Sequence, residues 1–381
     1  MSTIRWSPIT SIKNNQAPGT IICGMPGSGK TFFMQQVAAD ALGMGQRVIV
    51  IDPKNDFRHL LNIYPDISII DIQDVHPNAL NPFTFLQKVD KNGETIYIND
   101  IILLTLIQIL IGNIDQKTYN AIQPIVSDYI KLQSRKNVFN DMLSIAEYLF
   151  SKDSTEARFV GSQLKSFESS AFGKLLFTKE KNVKPLILSN NSSLIISLFG
   201  LKMPNHKTDV QNYTAEERFT SAILYLLTSK LQDILTQDSR IPTIFICDEA
   251  HTLFCNQELS NIIDKFLLQG RSLNIATVLA SQGISHFPDD IANTMTTKFL
   301  FKSSLDEAEA FIKLFDSSKY DARNALDVES IVTSINRFNK PGQVFMIDSQ
   351  NRNGIIQISE KYDPKLLSSN PYEKKRDKKD E

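Results

Sequence analysis

The segment from Gly24 to Thr31 reads Gly-Met-Pro-Gly-Ser-Gly-Lys-Thr and fills every required position of a phosphate-binding P-loop. Gly19–Cys23 ahead of it predicts a buried strand, and Phe32–Leu42 behind it predicts a helix. In that setting the N–H groups of the loop and the helix N-terminus surround a polyphosphate. The glycines permit positive φ and a close approach of backbone to phosphate. This context makes a chance glycine-rich turn the weaker alternative.

Each position of the P-loop has an expected task. Lys30 is expected to reach the β- and γ-phosphates, and the Thr31 hydroxyl is expected to bind Mg²⁺. The other residues expected to contact the nucleotide are Gly24, Pro26, Gly27, Ser28, Gly29 and Phe32. The loop therefore predicts a site for ATP with Mg²⁺.

A second acidic motif indicates hydrolysis. Ile244–Cys247 is an apolar strand that is followed directly by Asp248 and Glu249. Such a strand delivers its last residues to the sheet edge where open α/β sheets bind ligands. Asp248 is expected to hold the Mg²⁺ shell, and Glu249 is expected to act as general base on the attacking water. An apolar run entering an acidic turn is the alternative; the P-loop in the same chain favours the catalytic interpretation.

Composition fits a cytoplasmic enzyme and excludes few alternatives. The chain has 381 residues, 42% of them hydrophobic and 22% charged, which is enough for two domains. Its net charge of −1 gives no global basic field for nucleic acid. The cysteines, Cys23, Cys247 and Cys255, lack metal or redox spacing and are expected to be reduced thiols. His251 is either structural or a neighbour of the acidic pair.

No segment of the sequence predicts a membrane span or a signal peptide. The most apolar stretch, Ile101–Ile111, falls well short of the about 20 residues that a spanning helix needs. Asn99-Asp100 before it and Gly112 after it are typical of helix ends, so the stretch predicts a buried core helix. Residues 1–15 are polar and lack an apolar core.

The periodicity predicts an α/β fold with a mainly parallel sheet, interrupted by an all-α insertion. The core is expected over residues 17–88 and 184–365, the insertion over 89–183, and a disordered charged tail over 366–381. Within the insertion, helical periodicity covers about 97–111, 115–133 and 139–150, and Pro124 is expected to kink or divide the second helix. Core strands are predicted at Arg47–Asp52, Ile67–Ile72, Leu194–Leu198, Ile244–Cys247, Asn274–Ala280, Lys298–Lys302, Gln343–Ile347 and Ile355–Ile358. The last two flank Asn353-Gly354, a hairpin signal.

The motifs occur in an order that resembles the FtsK–HerA superfamily of RecA-like pumping ATPases. Within it the chain is most similar to the transfer ATPases of conjugative type IV secretion systems, the VirB-four kind. The resemblance runs from Gly19 to Ile358. The elements that carry it are the P-loop, Ile51–Lys54, Leu80–Phe83, Asp248–Ala250, Gln269–Ser272 and Ala280–Gln282.

The resemblance implies further site residues. Gln282 matches a polar sensor of the γ-phosphate, with a simple strand-end residue as the alternative. Arg271, expected after a helix that Gly270 ends, matches a Gly-Arg element and would act across a subunit interface as an arginine finger, with a structural arginine nearly as well supported. Arg337 is the second candidate for that role. Asp52 either contacts the water shell of the metal, which we favour, or caps the next turn.

The resemblance also implies partners and leaves the precise function open. It implies a homohexamer when assembled, with a monomer as the alternative for the isolated chain, that works with other subunits of a secretion apparatus. The expected location is cytoplasmic, with attachment to the inner face of the membrane through those partners or through a missing N-terminal domain. DNA is an expected contact without a strong sequence signature. Family members usually carry an N-terminal domain, so the chain is either an excised motor domain or a stand-alone variant. A DNA-translocating coupling protein or HerA-like pump, and a nucleotide switch without turnover, are the alternatives.

Overall fold

The computed structural model describes most of the chain. The residues described are 6–13, 16–86, 88–89, 95–96, 100–112, 114–136, 140–170, 173–177, 186, 192–204, 208–237, 239–254, 257–315, 327–340 and 342–362. The predicted tail, Cys255 and the C-terminal boundary of the insertion lie outside these residues.

A nine-stranded sheet forms the centre of the molecule, with the order β11-β10-β9-β1-β8-β7-β2-β6-β3. The strands are β1 Gly19–Cys23, β2 Arg47–Asp52, β3 Ser68–Asp71, β6 Leu194–Ser197, β7 Thr243–Cys247, β8 Ile275–Ser281, β9 Thr297–Leu300, β10 Gln343–Ile347 and β11 Asn353–Gln357. The seven strands from β9 to β3 in this order pair in parallel, and β10 pairs antiparallel with both of its neighbours, β9 and β11. Every predicted core strand is present, and the predicted mainly parallel α/β fold is confirmed.

Helices cover both faces of this sheet. They are α1 Thr10–Lys13, α2 Lys30–Gly43, α3 Pro82–Phe85, α4 Asp100–Ile111, α5 Gln116–Lys136, α6 Met142–Phe150, α7 Thr155–Ser166, α8 Ala215–Gln237, α9 Gln257–Leu273, α10 Asp289–Thr294, α11 Leu305–Phe315 and α12 Val328–Asn336. None of the described helices is both long enough and apolar enough to cross a membrane.

The core divides between the two faces because side chains alternate along each strand. In β1, Ile22 joins the cluster under α2, whereas Ile21 joins the larger cluster on the opposite face. Trp6, near the start of the chain, also packs on the α2 side, with ring centroids 4.8 Å from Phe299 and 5.9 Å from Phe33. The N-terminal segment therefore contacts both the sheet and the helix that follows the P-loop.

The predicted insertion is mainly helical and differs from the prediction in one respect, while a kink at Pro124 stays a prediction. Two short strands, β4 Lys88–Val89 and β5 Thr95–Ile96, pair antiparallel at its beginning, so the region is not purely α. Helix α5 runs through Pro124 without division. Pro124 and Asn120, whose carbonyl loses its helical N–H partner, are both exposed, so water can satisfy that carbonyl.

The insertion packs onto the core rather than standing apart from it. Helix α4 contacts α8, and its buried leucines belong to the same hydrophobic cluster as the sheet face. The Asn-Pro-Phe motif lies at the junction. The Asn81 side chain accepts a hydrogen bond from Phe83 N (3.1 Å), capping α3, and donates to Asn140 O just before α6 (2.6 Å). The domain boundaries at residues 89 and 183 remain a prediction.

Two predicted boundaries, a helix end at Gly270 and a hairpin turn at Asn353-Gly354, differ from the structure. Gly270 does not end a helix, because α9 continues to Leu273. A Cβ at Gly270 would lie 2.6 Å from the carbonyl oxygen of Ile275, so the glycine permits close packing of α9 on its neighbour. The hairpin β10–β11 exists, but Asn353-Gly354 lies within β11. Its turn is built by Asp348, whose carboxylate accepts bonds from the backbone N–H groups of Gln350 and Arg352 at 2.9 Å each.

Candidate nucleotide-hydrolysis site

The carboxyl ends of four adjacent parallel strands form the candidate site. The order β1-β8-β7-β2 places the P-loop, Gln282, the Asp248-Glu249 pair and the turn after Asp52 side by side at one edge. Parallel sheets bind their ligands at this edge. The sheet thus brings together groups that lie far apart in the sequence.

The P-loop has a backbone that only glycine adopts easily. Gly24, Gly27 and Gly29 have φ values of 155°, 75° and 100°. A Cβ at Gly24 would lie 2.6 Å from Phe301 Cβ, so a larger residue there would displace the end of β9. Among the described residues, the buried hydroxyl of Ser28 has no hydrogen-bond partner. A buried hydroxyl without a partner in the protein fits a loop whose ligand is phosphate.

Lys30 is folded back onto its own loop. Its Nζ donates to the carbonyl oxygens of Gly24 and, at 3.1 Å, of Met25. Burial lowers the pKa of Lys30, while the nearby carboxylates of Asp248 and Glu249 act in the opposite direction. The ammonium group therefore lies in a setting where additional negative charge stabilises its protonated form.

Thr31 and Asp248 are in direct contact, as the predicted metal site requires. Thr31 Oγ1 donates to Asp248 Oδ2 at 3.0 Å, and Asp248 Oδ1 accepts from Glu249 N at 2.9 Å. Burial raises the pKa of Asp248. A hydroxyl and a carboxylate are the hard oxygen ligands that Mg²⁺ prefers, and Mg²⁺ typically takes only one or two protein ligands beside phosphate and water.

Glu249 is held by two partners and by an unusual backbone. Its Oε1 accepts from Gln282 Nε2 at 3.3 Å and pairs with the ammonium group of Lys54. Its φ is 51°, which is rare for a residue other than glycine and is found at functional sites. Within the described part of the chain, its buried Oε2 has no hydrogen-bond partner, and His251 Nδ1 lies 3.4 Å away. One carboxylate oxygen is therefore restrained and the other remains able to accept a proton.

Lys54 is the site residue that sequence reasoning missed. Burial would raise the pKa of Glu249, but the hydrogen bond and charge of Lys54 lower it below its ordinary value. The side chain of Glu249 is 9% exposed and that of Lys54 is 48% exposed, so the pair reaches from the interior to solvent. Lys54 was visible in the Ile51–Lys54 motif, but its role depends on β2 lying beside β7.

The preference for Asp52 as a metal-shell group was wrong. Asp52 is fully buried, and its carboxylate accepts from Lys54 N at 3.2 Å and Phe57 N at 2.8 Å. Burial raises its pKa to about 6, although these bonds act in the opposite direction. Its role is to cap the turn that carries Lys54.

Two histidines extend the site away from the P-loop. The ring of His251 packs edge-on against His286, with centroids 5.4 Å apart. His286 Nδ1 lies 2.7 Å from the hydroxyl of Ser281, the last residue of β8. His251 thus contacts the acidic pair, the less favoured of its two predicted roles, and the histidine pair supports both Glu249 and the strand end that carries Gln282.

The structure does not bring Arg271 to the phosphate site of its own chain. Arg271 lies in the last turn of α9, which leads into the amino end of β8, whereas Gln282 follows the carboxyl end of β8. Seven residues of strand span roughly 20 Å, so Arg271 lies at the opposite sheet edge. Arg337 caps α12 shortly before β10, whose start lies at the P-loop edge. An arginine-finger role for Arg271 therefore requires a second subunit.

Comparisons with known proteins agree with the fold. The AAA-like domain family matches residues 10–368, so the chain belongs to that family. VirB4 of Thermoanaerobacter pseudethanolicus is similar, with a TM-score of 0.68, 16% identity, and coverage of 92% of this chain and 91% of that chain. The plasmid coupling protein TrwB with an ATP analogue gives a TM-score of 0.55, 12% identity and coverage of 92% and 87%. Curated protein sequences give no match.

These matches confirm the resemblance that the motifs indicated, at the level of family and fold. The unbound form of TrwB, at 13% identity, again matches over 90% of this chain and 85% of its own length with a TM-score of 0.54. The similarity therefore extends through the helical insertion as well as the sheet. The chain is a member of a P-loop NTPase family with the RecA-like fold of VirB4 and TrwB.

Proposed function

We propose that this chain is a Mg²⁺-dependent ATPase, the motor of a conjugative type IV secretion or DNA-transfer system. The observation that carries the proposal is the set of contacts at one sheet edge. Thr31 bonds to Asp248 at 3.0 Å, and Glu249 is held next to it by Gln282 at 3.3 Å. The match to VirB4 along nearly the whole of both chains supports the choice of system.

The residues divide the chemistry between them. Lys30 and the loop N–H groups bind the phosphates, and Thr31 and Asp248 would hold Mg²⁺, which supplies charge neutralisation at the transferred phosphoryl group. Glu249 orients a water molecule and accepts its proton, and Gln282 restrains that carboxylate without adding charge. The lowered pKa of Glu249 keeps it ionised, as a general base requires.

A DNA-translocating coupling protein is the second candidate, and the likeness to TrwB favours it. TrwB is named a conjugative coupling protein, and its structures match at TM-scores of 0.54 and 0.55. The fold alone does not separate the two functions. A DNA translocase and an apparatus motor differ in whether DNA stimulates turnover, so DNA dependence is the property that discriminates them.

A nucleotide switch without turnover is the third candidate, and the site argues against it. A binding protein needs the P-loop and a metal ligand, but it has no use for a buried carboxylate held beside them by an amide. Glu249 is 7% exposed, has a positive φ and contacts Gln282. Backbone strain at a buried carboxylate costs the fold stability, and such strain is typical of sites where the residue has a function.

The proposed working form is a homohexamer that acts with other subunits of the apparatus. The γ-phosphate at the P-loop edge of one sheet is open on one side, and a neighbour's arginine would close it. Arg271 lies at the opposite edge of its own subunit and is exposed there. Assembly would then couple hydrolysis in one subunit to movement in the next.

Steady-state ATP hydrolysis with Mg²⁺ tests the proposal, measured without DNA and with single-stranded or duplex DNA. Turnover that DNA does not change would support the apparatus motor, and stimulation by DNA would support the coupling protein. Lys30→Ala is the control for contaminating activity, since the loop would lose its phosphate-binding cation. Nucleotide binding without turnover under all three conditions would contradict both motor functions.

A further inference from the structure

We propose that Lys54 is a nucleotide-sensing residue that exchanges its bond to Glu249 for one to the terminal phosphate when a nucleoside triphosphate binds. This inference rests on the proposed ATP hydrolysis and concerns its regulation. Lys54 would thereby restrain the general base until a γ-phosphate is present. It would be a positioning residue for Glu249 and a ligand of the triphosphate.

The turn that carries Lys54 is built to hold its backbone in place. Asp52 is fully buried and accepts bonds from Lys54 N and Phe57 N, at 3.2 and 2.8 Å. Gln35 on α2 donates its amide to Asp56 O at 2.8 Å, which ties the same turn to the P-loop helix. The next residue, Asn55, has a φ of 62°. The backbone of Lys54 is therefore fixed, while its half-exposed side chain retains freedom to move.

The partner of Lys54 is the residue that the reaction needs unpaired. Its ammonium group bonds to Oε1 of Glu249, the same oxygen that Gln282 contacts. With both donors on Oε1, that oxygen has little capacity left to accept a hydrogen bond from water. Transfer of Lys54 to another anion would free one acceptor position of Oε1 while Gln282 keeps its contact.

The site contains a second cation that makes this transfer favourable. Lys54 lies close enough to Lys30 for its charge to act on that ammonium group, and Asp248 and Glu249 lie near both lysines. Two ammonium groups facing one edge suit a ligand with several negative charges. In a bound nucleotide the β-phosphate would contact Lys30 and the loop. A triphosphate has a γ-phosphate that a diphosphate lacks, and Lys54 would bind that group.

The experiment compares equilibrium binding of ADP and of the non-hydrolysable triphosphate AMP-PNP, both with Mg²⁺. Lys54→Met is expected to weaken AMP-PNP binding about tenfold and to change ADP binding less than about twofold, because a charge-assisted contact is lost with only one of them. Lys54→Arg should keep most of the preference. Lys361→Met, which removes a lysine paired with Asp40 on the same helix α2, is the matched control and should change neither.

A double-mutant cycle tests the exchange of partners. Glu249→Gln removes the competing carboxylate charge and is expected to strengthen AMP-PNP binding at least threefold, and this gain should disappear in the Lys54→Met background. Equal effects of Lys54→Met on both nucleotides, or an undiminished gain in that background, would overturn the inference and leave the proposed ATPase intact. Failure of the wild type to bind AMP-PNP would overturn the proposed function and this inference with it.

Discussion

Replacement of Asp52 by asparagine should change how the stability of the fold depends on pH. Burial raises the pKa of Asp52 to about 6 from its ordinary value of 3.8. Between these values the folded state holds a proton that the unfolded state has released, so stability falls as the pH rises through this window. At about 1.4 kcal/mol for each pH unit, ionisation of Asp52 costs the fold about 3 kcal/mol once the pH exceeds 6.

The assay is urea unfolding of wild type and Asp52→Asn at pH 4 and at pH 7.5. Asparagine does not titrate, so the stability of wild type relative to the variant should fall by about 2 kcal/mol between the two pH values. Other carboxyl groups cancel in this difference. Asp209→Asn is the matched control, because Asp209 is exposed and accepts a bond from Gln211 N in a similar turn. A wild-type-minus-variant difference that is equal at both pH values would refute the assignment of a buried, proton-binding Asp52.

Three further predictions test packing, the metal site and assembly. Gly270→Ala should destabilise the fold by about 1 to 3 kcal/mol in urea unfolding, because its Cβ meets backbone, whereas Leu268→Ala at a 76% exposed position should have little effect; equal stability of both would contradict the close packing. Thr31→Val should raise the Mg²⁺ concentration for half-maximal turnover at least about tenfold, since a metal ligand is lost, and an unchanged Mg²⁺ dependence would exclude Thr31 as ligand. Mixing Lys30→Ala with Arg271→Ala chains should partly recover ATPase activity if Arg271 acts in trans, and no recovery in an assembled preparation would return Arg271 to a structural role.

The sheet was predictable because each parallel strand is buried on both faces. Its strands are near-continuous apolar runs, as in β7, where all five residues are buried, and such runs stand out in a sequence. The P-loop and the Asp248-Glu249 pair were predictable for a related reason. Their chemistry depends on residue type and on strand and helix flanks, both of which are local.

The errors came from residues whose effect depends on distant neighbours. Gly270 appeared to be a helix stop, but it is a glycine because Ile275 O and Pro18 approach it. Pro124 lies within an undivided α5, where its exposed position leaves the freed carbonyl to water, and the alternative effect, a kink, stays a prediction. In each case local propensity was outweighed by burial or packing that only the tertiary structure defines.

Asp52 and Lys54 show the same limit at the site. A carboxylate at a strand end next to a P-loop is typical of a metal shell, but two backbone N–H groups already occupy its oxygens. The ion pair between Lys54 and Glu249 joins residues from β2 and β7, which are adjacent only because of the strand order. Strand order is set by long-range packing, so the sequence motif alone does not show the contact.

The most direct test of the proposed ATPase is to measure turnover and nucleotide binding together for wild type and Glu249→Gln. The site predicts Mg²⁺-dependent ATP hydrolysis by the wild type. It also predicts that Glu249→Gln retains nucleotide binding while its turnover falls by a factor on the order of 10² or more, because the general base is lost. Turnover by Glu249→Gln within a few-fold of wild type would contradict the assignment of Glu249 as the base and the mechanism that depends on it.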